Sequence, residues 1–292
     1  MPKQKRDMQP VGEPDIRAYL ECSDDFRFEI EVLRSCHGGG LVTSHGGSYE
    51  DSATKKHRQF DIRTQLTKGI CTLKLAIECK NLKPSFPLLV SRMPRRAEES
   101  YHEVLLPSAA RYREFLLKNV ATSADHQRVK SLFQPREFVG KATVQIGRSS
   151  SGDFVSNDAE VFEKWSQAIG SAYDLIATSA TDHQVIGSAS AATVVFPILV
   201  VTDQTLWVAD YSTEGEMLGS ARLVSECAIY LDKKVSTGLP GVDYTISHVQ
   251  IFTKTAFDGY LDRIAVNDKY WDRIFPSDPL DRRSLQLELG ST

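Results

Sequence analysis

The chain has 292 residues, of which 41% are hydrophobic and 25% charged, and its formal net charge is −3 with an isoelectric point near 6.2. This length suffices for one large or two modest domains, and the near-neutral charge counts against tight non-specific binding of nucleic acid. The N-terminus is polar, and the longest apolar run, residues 194–201, has only eight residues and contains a proline. The sequence therefore predicts neither a signal peptide nor a membrane span.

The cysteines indicate a reducing compartment. There are five, an odd number with no C-x-x-C spacing, and several lie within apolar runs. We therefore expect reduced thiols, no disulfide framework and a cytoplasmic location. His37 and His45 are not paired with cysteines at zinc-finger spacing, so no structural zinc site is predicted.

The first predicted element follows residues 1–19, which are expected to form a flexible tail. Residues 26–36 carry apolar side chains at helical spacing, with Ser23 as a candidate N-cap and a glycine run after them. On a helical wheel Glu29 falls near the middle of the apolar arc, whereas Glu31 points the other way. A strand is the alternative, because this segment also alternates with period two, and both glutamates would then face solvent.

Residues 59–81 are expected to form a β-hairpin. Residues 60–62 lie in the first predicted strand, residues 71–77 form the second, and residues 67–69 form the turn. This hairpin brings Asp61, Glu78 and Lys80 to one end of a sheet. Because side chains alternate along a strand, Glu78 and Lys80 share a face and the residue between them points away.

Two carboxylates and an ammonium on one face form a set with a definite chemistry. Mg²⁺ prefers hard oxygen ligands and is held in proteins by one or two carboxylates. A lysine beside such an ion can assist a bound water or neutralise charge that develops on an attacked phosphodiester. The alternative is a surface hairpin whose charges are merely solvated.

The segments Arg-Gln-Phe-Asp-Ile at 58–62 and Ala-Ile-Glu-Cys-Lys-Asn at 76–81 resemble the PD-(D/E)xK family, the restriction-endonuclease-like nucleases. One departure is that phenylalanine, not proline, precedes Asp61. The resemblance implies an α/β fold with a mixed sheet flanked by helices. It also implies Mg²⁺, or alternatively Mn²⁺, held by Asp61 and Glu78, with a further acid from the first helix at Glu29 and with Lys80 assisting the attacking water.

Two basic clusters flank this hairpin and are candidates for contacts with nucleic-acid phosphates. A predicted third strand at residues 88–91 precedes the second cluster. The alternative for each side chain is a solvated surface position. The six candidates are Lys55, Lys56 and Arg58 in the first cluster and Arg92, Arg95 and Arg96 in the second.

Later segments are expected to be scaffold. Helical spacing predicts helices at 108–120, 125–132, 158–180 and 256–264. Residues 194–201 and 206–209 are predicted to pair as a hairpin, and 228–231 and 249–252 to form further strands. Gly-Lys at 140–141 lacks the spacing of a phosphate loop, so no ATP site is predicted. We place a nuclease-like core at 20–135 and a C-terminal α/β extension at 136–292, packed on the core or part of the same domain.

The sequence thus predicts a metal-dependent endonuclease, with DNA favoured over RNA as the substrate, in restriction, repair or antiviral defence. We expect such an activity to be controlled, either by an activating protein partner or by assembly into a homodimer. The alternative is a non-catalytic subunit that uses a nuclease fold for binding or assembly.

Overall fold

The computed structural model describes residues 9–22, 25–38, 40–51, 55–107, 124–157, 159–182, 192–236 and 243–275. Its helices are α1 (Glu13–Cys22), α2 (Asp25–His37), α3 (Ala159–Asp182), α4 (Lys254–Val266) and α5 (Asp268–Ile274), with a short 3-10 helix at Ala97–Glu99.

The described ranges contain fifteen strands. The first eight are β1 (Val42–His45), β2 (Ser48–Glu50), β3 (His57–Gln59), β4 (Ile62–Lys68), β5 (Cys71–Lys80), β6 (Leu88–Pro94), β7 (His102–Pro107) and β8 (Ala124–Val129). The remainder are β9 (Phe138–Arg148), β10 (Phe154–Asn157), β11 (Ala192–Val201), β12 (Leu206–Asp210), β13 (Arg222–Leu223), β14 (Glu226–Ser236) and β15 (Asp243–Thr253).

Within the described ranges, thirteen strands form one mixed sheet, and its main path runs β1, β4, β5, β11, β15, β14, β9, β6, β12, β13. The centre is parallel, because β11 pairs in parallel with both β5 and β15. β11 is buried at all ten positions, as expected for a strand whose two faces are both covered. The predicted α/β class with a mixed sheet flanked by helices is confirmed at this level.

The two faces of the sheet pack against different helices. On β5, Ile77 and Cys79 belong to the hydrophobic cluster that includes Val32 of α2 and Phe257 of α4. Ala76, on the opposite face, packs with Ala172 of α3. α3 therefore covers the face that carries the even-numbered residues of β5, where Glu78 and Lys80 lie.

Three local predictions are wrong. Residues 13–19 of the predicted tail belong to α1, although every described residue from 9 to 21 is exposed. Residues 124–129 form β8, not a helix, because six consecutive positions pair with β7. β11 and β12 do not form a hairpin, since β11 lies between β5 and β15 while β12 pairs with β6. The predicted helix at 108–120 and the predicted N-cap Ser23 lie outside the described residues.

Strands from the two halves of the sequence alternate across the sheet. β5 pairs with β11, and β6 pairs with β9 and β12, so residues 20–135 and 136–292 contribute to one continuous sheet. No helix in the described ranges is long and apolar enough to cross a membrane.

Candidate active site

Asp61 and Glu78 lie side by side at one end of the β4–β5 hairpin. β4 begins at Ile62, which pairs with Ile77 of β5, so Asp61 and Glu78 occupy the next positions beyond that pair. Oδ2 of Asp61 accepts a hydrogen bond of 2.8 Å from the backbone N–H of Cys79. The Asp61 N–H in turn donates to Oε1 of Glu78 at 3.4 Å. The turn lies at residues 69 and 70, not at 67–69 as predicted, because β4 extends through Lys68 and β5 begins at Cys71.

A lysine from a distant segment bridges the two carboxylates. Lys164 of α3 places Nζ 3.0 Å from Oδ2 of Asp61 and 3.3 Å from Oε2 of Glu78. The exposed fraction of the side chain is 24% for Lys164, 14% for Asp61 and 0% for Glu78. α3 directs this lysine inward because Val161 and Ala168, one turn to either side on the same stripe, are fully buried against the sheet.

The shared ammonium only partly offsets the cost of burying Glu78. Burial and the negative charge of Asp61 raise the pKa of Glu78 to about 8 from its ordinary value of 4.5. Burial disfavours the Lys164 ammonium, but the charges of Asp61 and Glu78 outweigh burial and raise the pKa of Lys164 above its ordinary value. The raised pKa means that Glu78 holds its proton more tightly than an exposed glutamate, and a metal ion would have to displace that proton to bind its oxygens.

A third carboxylate approaches from α2. Glu29 lies on the inward side of α2, and its Oε1 is 2.6 Å from Nε2 of His45 at the end of β1. Burial and the charge of Asp61 raise the pKa of Glu29, with the hydrogen bond from His45 opposing them. Glu31 is exposed and pairs with Arg27 on the surface of α2. The predicted helix and the inward direction of Glu29 are both confirmed.

Lys80 shares a face with Glu78, as the strand period predicts, but it does not contact the carboxylate pair. Its Nζ lies 3.2 Å from Oδ2 of Asp25 in α2 and 3.3 Å from Oε2 of Glu160 in α3. Glu160 and Lys164 are one helical turn apart, which matches the two-residue step from Lys80 to Glu78 on the facing strand.

The donors present fit a hard divalent cation. In the described part of the chain, no three His, Cys, Asp or Glu side chains are grouped as a metal site. The two carboxylates of Asp61 and Glu78 nevertheless present oxygen ligands of the kind that Mg²⁺ takes, and Lys164 already binds them as a cation. Glu29 lies close enough for the charges of Asp61 and Lys164 to act on it, but its own hydrogen bond is to His45.

The first basic cluster remains accessible. Lys56 is exposed, and Lys55 is exposed with Nζ 3.6 Å from Oε1 of Glu50. Arg58 lies on β3, where its Nε is 3.2 Å from Oδ2 of Asp51. Lys55 and Lys56 are therefore the side chains of this cluster that a phosphate backbone can reach most easily.

The second cluster is not the exposed basic edge that the sequence predicts. Arg92 and Arg95 are only 9% and 4% exposed. Arg92 binds Asp210 through two nitrogens at 2.7 and 2.9 Å, and Arg95 binds Glu137 at 3.0 Å. Guanidinium groups held inside the protein in this way are unavailable to a passing phosphate backbone, so the prediction is wrong for both. Arg96 is exposed, although it pairs with Glu99.

Sequence reasoning missed Lys164 and His45. The signal for Lys164 was a lysine within the apolar stripe of a long helix, the same pattern that singled out Glu29 on α2. His45 has no comparable signal in the sequence. It lies on β1, a short strand whose position depends on its pairing with β4, and local periodicity does not show that pairing.

Comparisons of this chain with models of protein families, with curated protein sequences and with solved structures found no match in any of the three.

Proposed function

We propose that this chain is a metal-dependent endonuclease that hydrolyses phosphodiester bonds, with DNA as the favoured substrate. The observation that carries the proposal is the pairing of Asp61 with a fully buried Glu78 at adjacent strand ends, where both bind a single ammonium. Burying two carboxylates together is costly, and such arrangements are concentrated at functional sites.

Asp61 and Glu78 would hold the ion, Mg²⁺ or Mn²⁺, and Glu29 would orient the group from the side of α2. When bound, the ion would supply an activated water and charge neutralisation at the phosphate. When no ion is present, the ammonium of Lys164 contacts both Asp61 and Glu78 and holds the two side chains together.

Lys80 is the proposed assistant of the attacking water. It lies on the same face as Glu78, two residues further along β5, and its Nζ is fixed by Asp25 and Glu160. Both partners are at least half exposed, so this ammonium can exchange them for a substrate oxygen at little cost.

Lys55 and Lys56 would contact the phosphate backbone. They lie in the segment between β2 and β3, and Asp61 follows two residues after the end of β3, immediately before β4. With a net charge of −3, affinity for nucleic acid would depend on such local patches.

The test is to incubate the pure, EDTA-treated chain with plasmid DNA, single-stranded DNA and RNA in parallel, with and without Mg²⁺ or Mn²⁺. We expect cleavage only in the presence of metal, and none with Asp61→Asn. If wild type and Asp61→Asn cut equally, the activity comes from a contaminant and the proposal fails.

One observation favours the alternative, a non-catalytic subunit for binding or assembly. Lys164 already binds carboxylate oxygens that an ion would need. A lysine in that position is what we would expect in a site that no longer binds metal. Calorimetric titration with Mg²⁺ separates the two functions, since the nuclease binds the ion through Asp61 and Glu78 whereas the non-catalytic subunit shows no heat of binding.

A further inference from the structure

A cavity of about 400 Å³ lies between α3 and the second half of β14. Its volume is within the roughly 300–1,000 Å³ typical of small-molecule sites. Most of its lining is apolar and comes from one side of the helix and from the facing strand, namely Phe162, Trp165, Ile169, Tyr173, Leu231 and Val235. Lys164 points from another side of α3 to the carboxylate pair, so the cavity and the candidate active site lie on two flanks of the same helix.

Phe162 gives this cavity an aromatic surface that is open to solvent. The residue is 55% exposed. Its ring meets the half-buried ring of Trp165 edge to face, with the centroids 4.6 Å apart and the planes at 76°. In the described part of the chain, no further aromatic or cationic group is stacked on either ring. Exposing an aromatic ring beside an apolar cavity is unfavourable in water, and such surfaces mark places where a partner binds.

The basic loop between β2 and β3 reaches the rim of this cavity. Asp51, the residue after β2, is part of the lining. Its N–H donates to the carbonyl oxygen of Lys56 at 2.9 Å, and its own carbonyl oxygen accepts from the N–H of Lys55 at 2.7 Å. Both lysines of the loop therefore lie next to the cavity. A third lysine, Lys233 of β14, is exposed and lines the cavity directly.

The positive charge at this rim is available to an anion. The carboxylate of Asp51 is paired with Arg58 at 3.2 Å. Among the residues that the structure describes, no carboxylate pairs with Lys56 or Lys233, and both side chains are exposed. Two ammonium groups thus stand beside the cavity where a solvated phosphate can reach them without breaking an ion pair within the protein.

An accessible aromatic ring beside exposed lysines suits a single strand of nucleic acid. Proteins that bind single strands place cations along the phosphate backbone and stack the bases on aromatic side chains. In a duplex the faces of each base are covered by the neighbouring bases, so a protein ring can stack only on a base that has left the helix or was never paired. The ligand class that this cavity fits is therefore an unpaired base with its flanking phosphates.

We propose that this cavity takes an unpaired base of a DNA strand, with the base stacked on Phe162 and the flanking phosphates on Lys56 and Lys233. The inference rests on the proposed endonuclease, and it narrows the substrate of that enzyme to DNA with single-stranded or distorted segments. Phe162 and Lys164 lie within one turn of α3, so nearby nucleotides of one strand can reach both the cavity and the carboxylate pair.

The test measures binding of the full chain in EDTA, where no metal-dependent cleavage occurs. The probes are a fluorescently labelled oligothymidylate strand, a strand of equal length whose sites are abasic, and the duplex with oligoadenylate. We expect anisotropy to show binding of the oligothymidylate about fivefold or more tighter than that of the abasic strand, because both carry the same phosphates and only one can stack. Phe162→Ala should remove this preference and leave duplex binding unchanged, whereas Phe162→Trp should keep the preference. Since Phe162 is exposed, the melting temperature of Phe162→Ala should stay close to that of wild type.

The matched control is Phe154→Ala. Phe154 is 75% exposed and lies against the guanidinium of Arg148 at 4.3 Å, but it does not line the cavity. Its replacement should leave the preference intact. An equal loss in Phe154→Ala would overturn the proposal, and so would wild-type protein that binds the abasic strand as tightly as the oligothymidylate.

The two proposals fail in different ways. A protein that cleaves DNA with metal but shows no base-dependent binding keeps the nuclease and loses this site. Base-dependent binding that Phe162→Ala removes, in a protein that cleaves nothing with metal, keeps the site and refutes the nuclease.

Discussion

Lys164 Nζ lies 3.3 Å from Oε2 of Glu78, although 86 residues separate the two in the sequence. The same ammonium also binds Asp61, so a helix from the second half of the chain supplies the counter-charge for a hairpin in the first half. The effect of this contact can be tested by replacing Lys164.

Lys164→Met should bind Mg²⁺ more tightly than wild type, because the ammonium no longer competes for the oxygens of Asp61 and Glu78. It should also lower the free energy of unfolding without metal by roughly 3 kcal/mol, the cost of breaking a buried ion pair. Calorimetry and urea unfolding measure the two effects.

The matched control is Lys254→Met, since Lys254 is similarly buried and pairs with Asp258 on its own helix outside this cluster. That change should cost about 0.5 kcal/mol and leave Mg²⁺ affinity unaltered. Weaker Mg²⁺ binding by Lys164→Met would contradict the competition between ammonium and ion.

Lys80→Ala should abolish cleavage while Mg²⁺ affinity and DNA binding stay at wild-type levels. Lysine is not a ligand of Mg²⁺, whereas general acid–base or electrostatic assistance is worth roughly 10²–10⁴ in rate. Single-turnover cleavage beside metal titration measures the split. A Lys80→Ala protein that cuts at the wild-type rate would remove Lys80 from the mechanism.

The stability of the metal-free protein should fall as pH rises from about 4.5 to about 8. Over this range the folded protein keeps the proton on Glu78 while the unfolded chain loses it, because the pKa is raised from 4.5 to about 8 on folding. The loss attributable to this group should be on the order of a few kcal/mol, and Glu78→Gln should abolish it. Urea unfolding at several pH values measures this slope.

Glu99 provides the control of opposite sign. Burial disfavours its charge, but hydrogen bonds from Lys141 and Arg96 outweigh burial and lower its pKa below 4.5. Its stabilisation is therefore present above that pH and lost as the pH falls through the lowered pKa. Glu99→Gln should flatten the acid side of the stability profile and leave the slope above pH 4.5 intact.

The exposed basic residues should act on binding and the buried ones on stability. Replacing Lys55 and Lys56 with glutamine should weaken DNA binding for all sequences. The slope of log affinity against log salt concentration should become shallower by about 0.9 for each phosphate that is no longer neutralised. Fluorescence titration across salt concentrations measures this. An unchanged slope would place the DNA elsewhere on the surface.

Arg92→Gln should instead destabilise the fold by roughly 3 kcal/mol, because it leaves the carboxylate of Asp210 without its main partner in a nearly buried site. Chemical unfolding measures the loss, and Arg222→Gln, on the exposed side of the same carboxylate, should cost about 1 kcal/mol or less. Equal costs for the two changes would mean that burial does not govern this pair.

The sequence alone determined the features that arise within a few residues of one another. The period of two along 71–80 placed Glu78 and Lys80 on one face, and the turn between two apolar runs placed Asp61 beside Glu78. The helical period of 26–36 turned Glu29 inward. These results depend only on backbone geometry and the burial of apolar side chains.

Only the tertiary structure decided which distant segments meet. The position of Lys164 depends on α3 packing across β5 and β11, and the burial of Arg92 depends on β12 pairing with β6. β11 resembled half of a hairpin in the sequence, but its apolar residues on both faces are stable only between β5 and β15 under two layers of helices. Such contacts are selected by the burial of whole surfaces, which local periodicity does not encode.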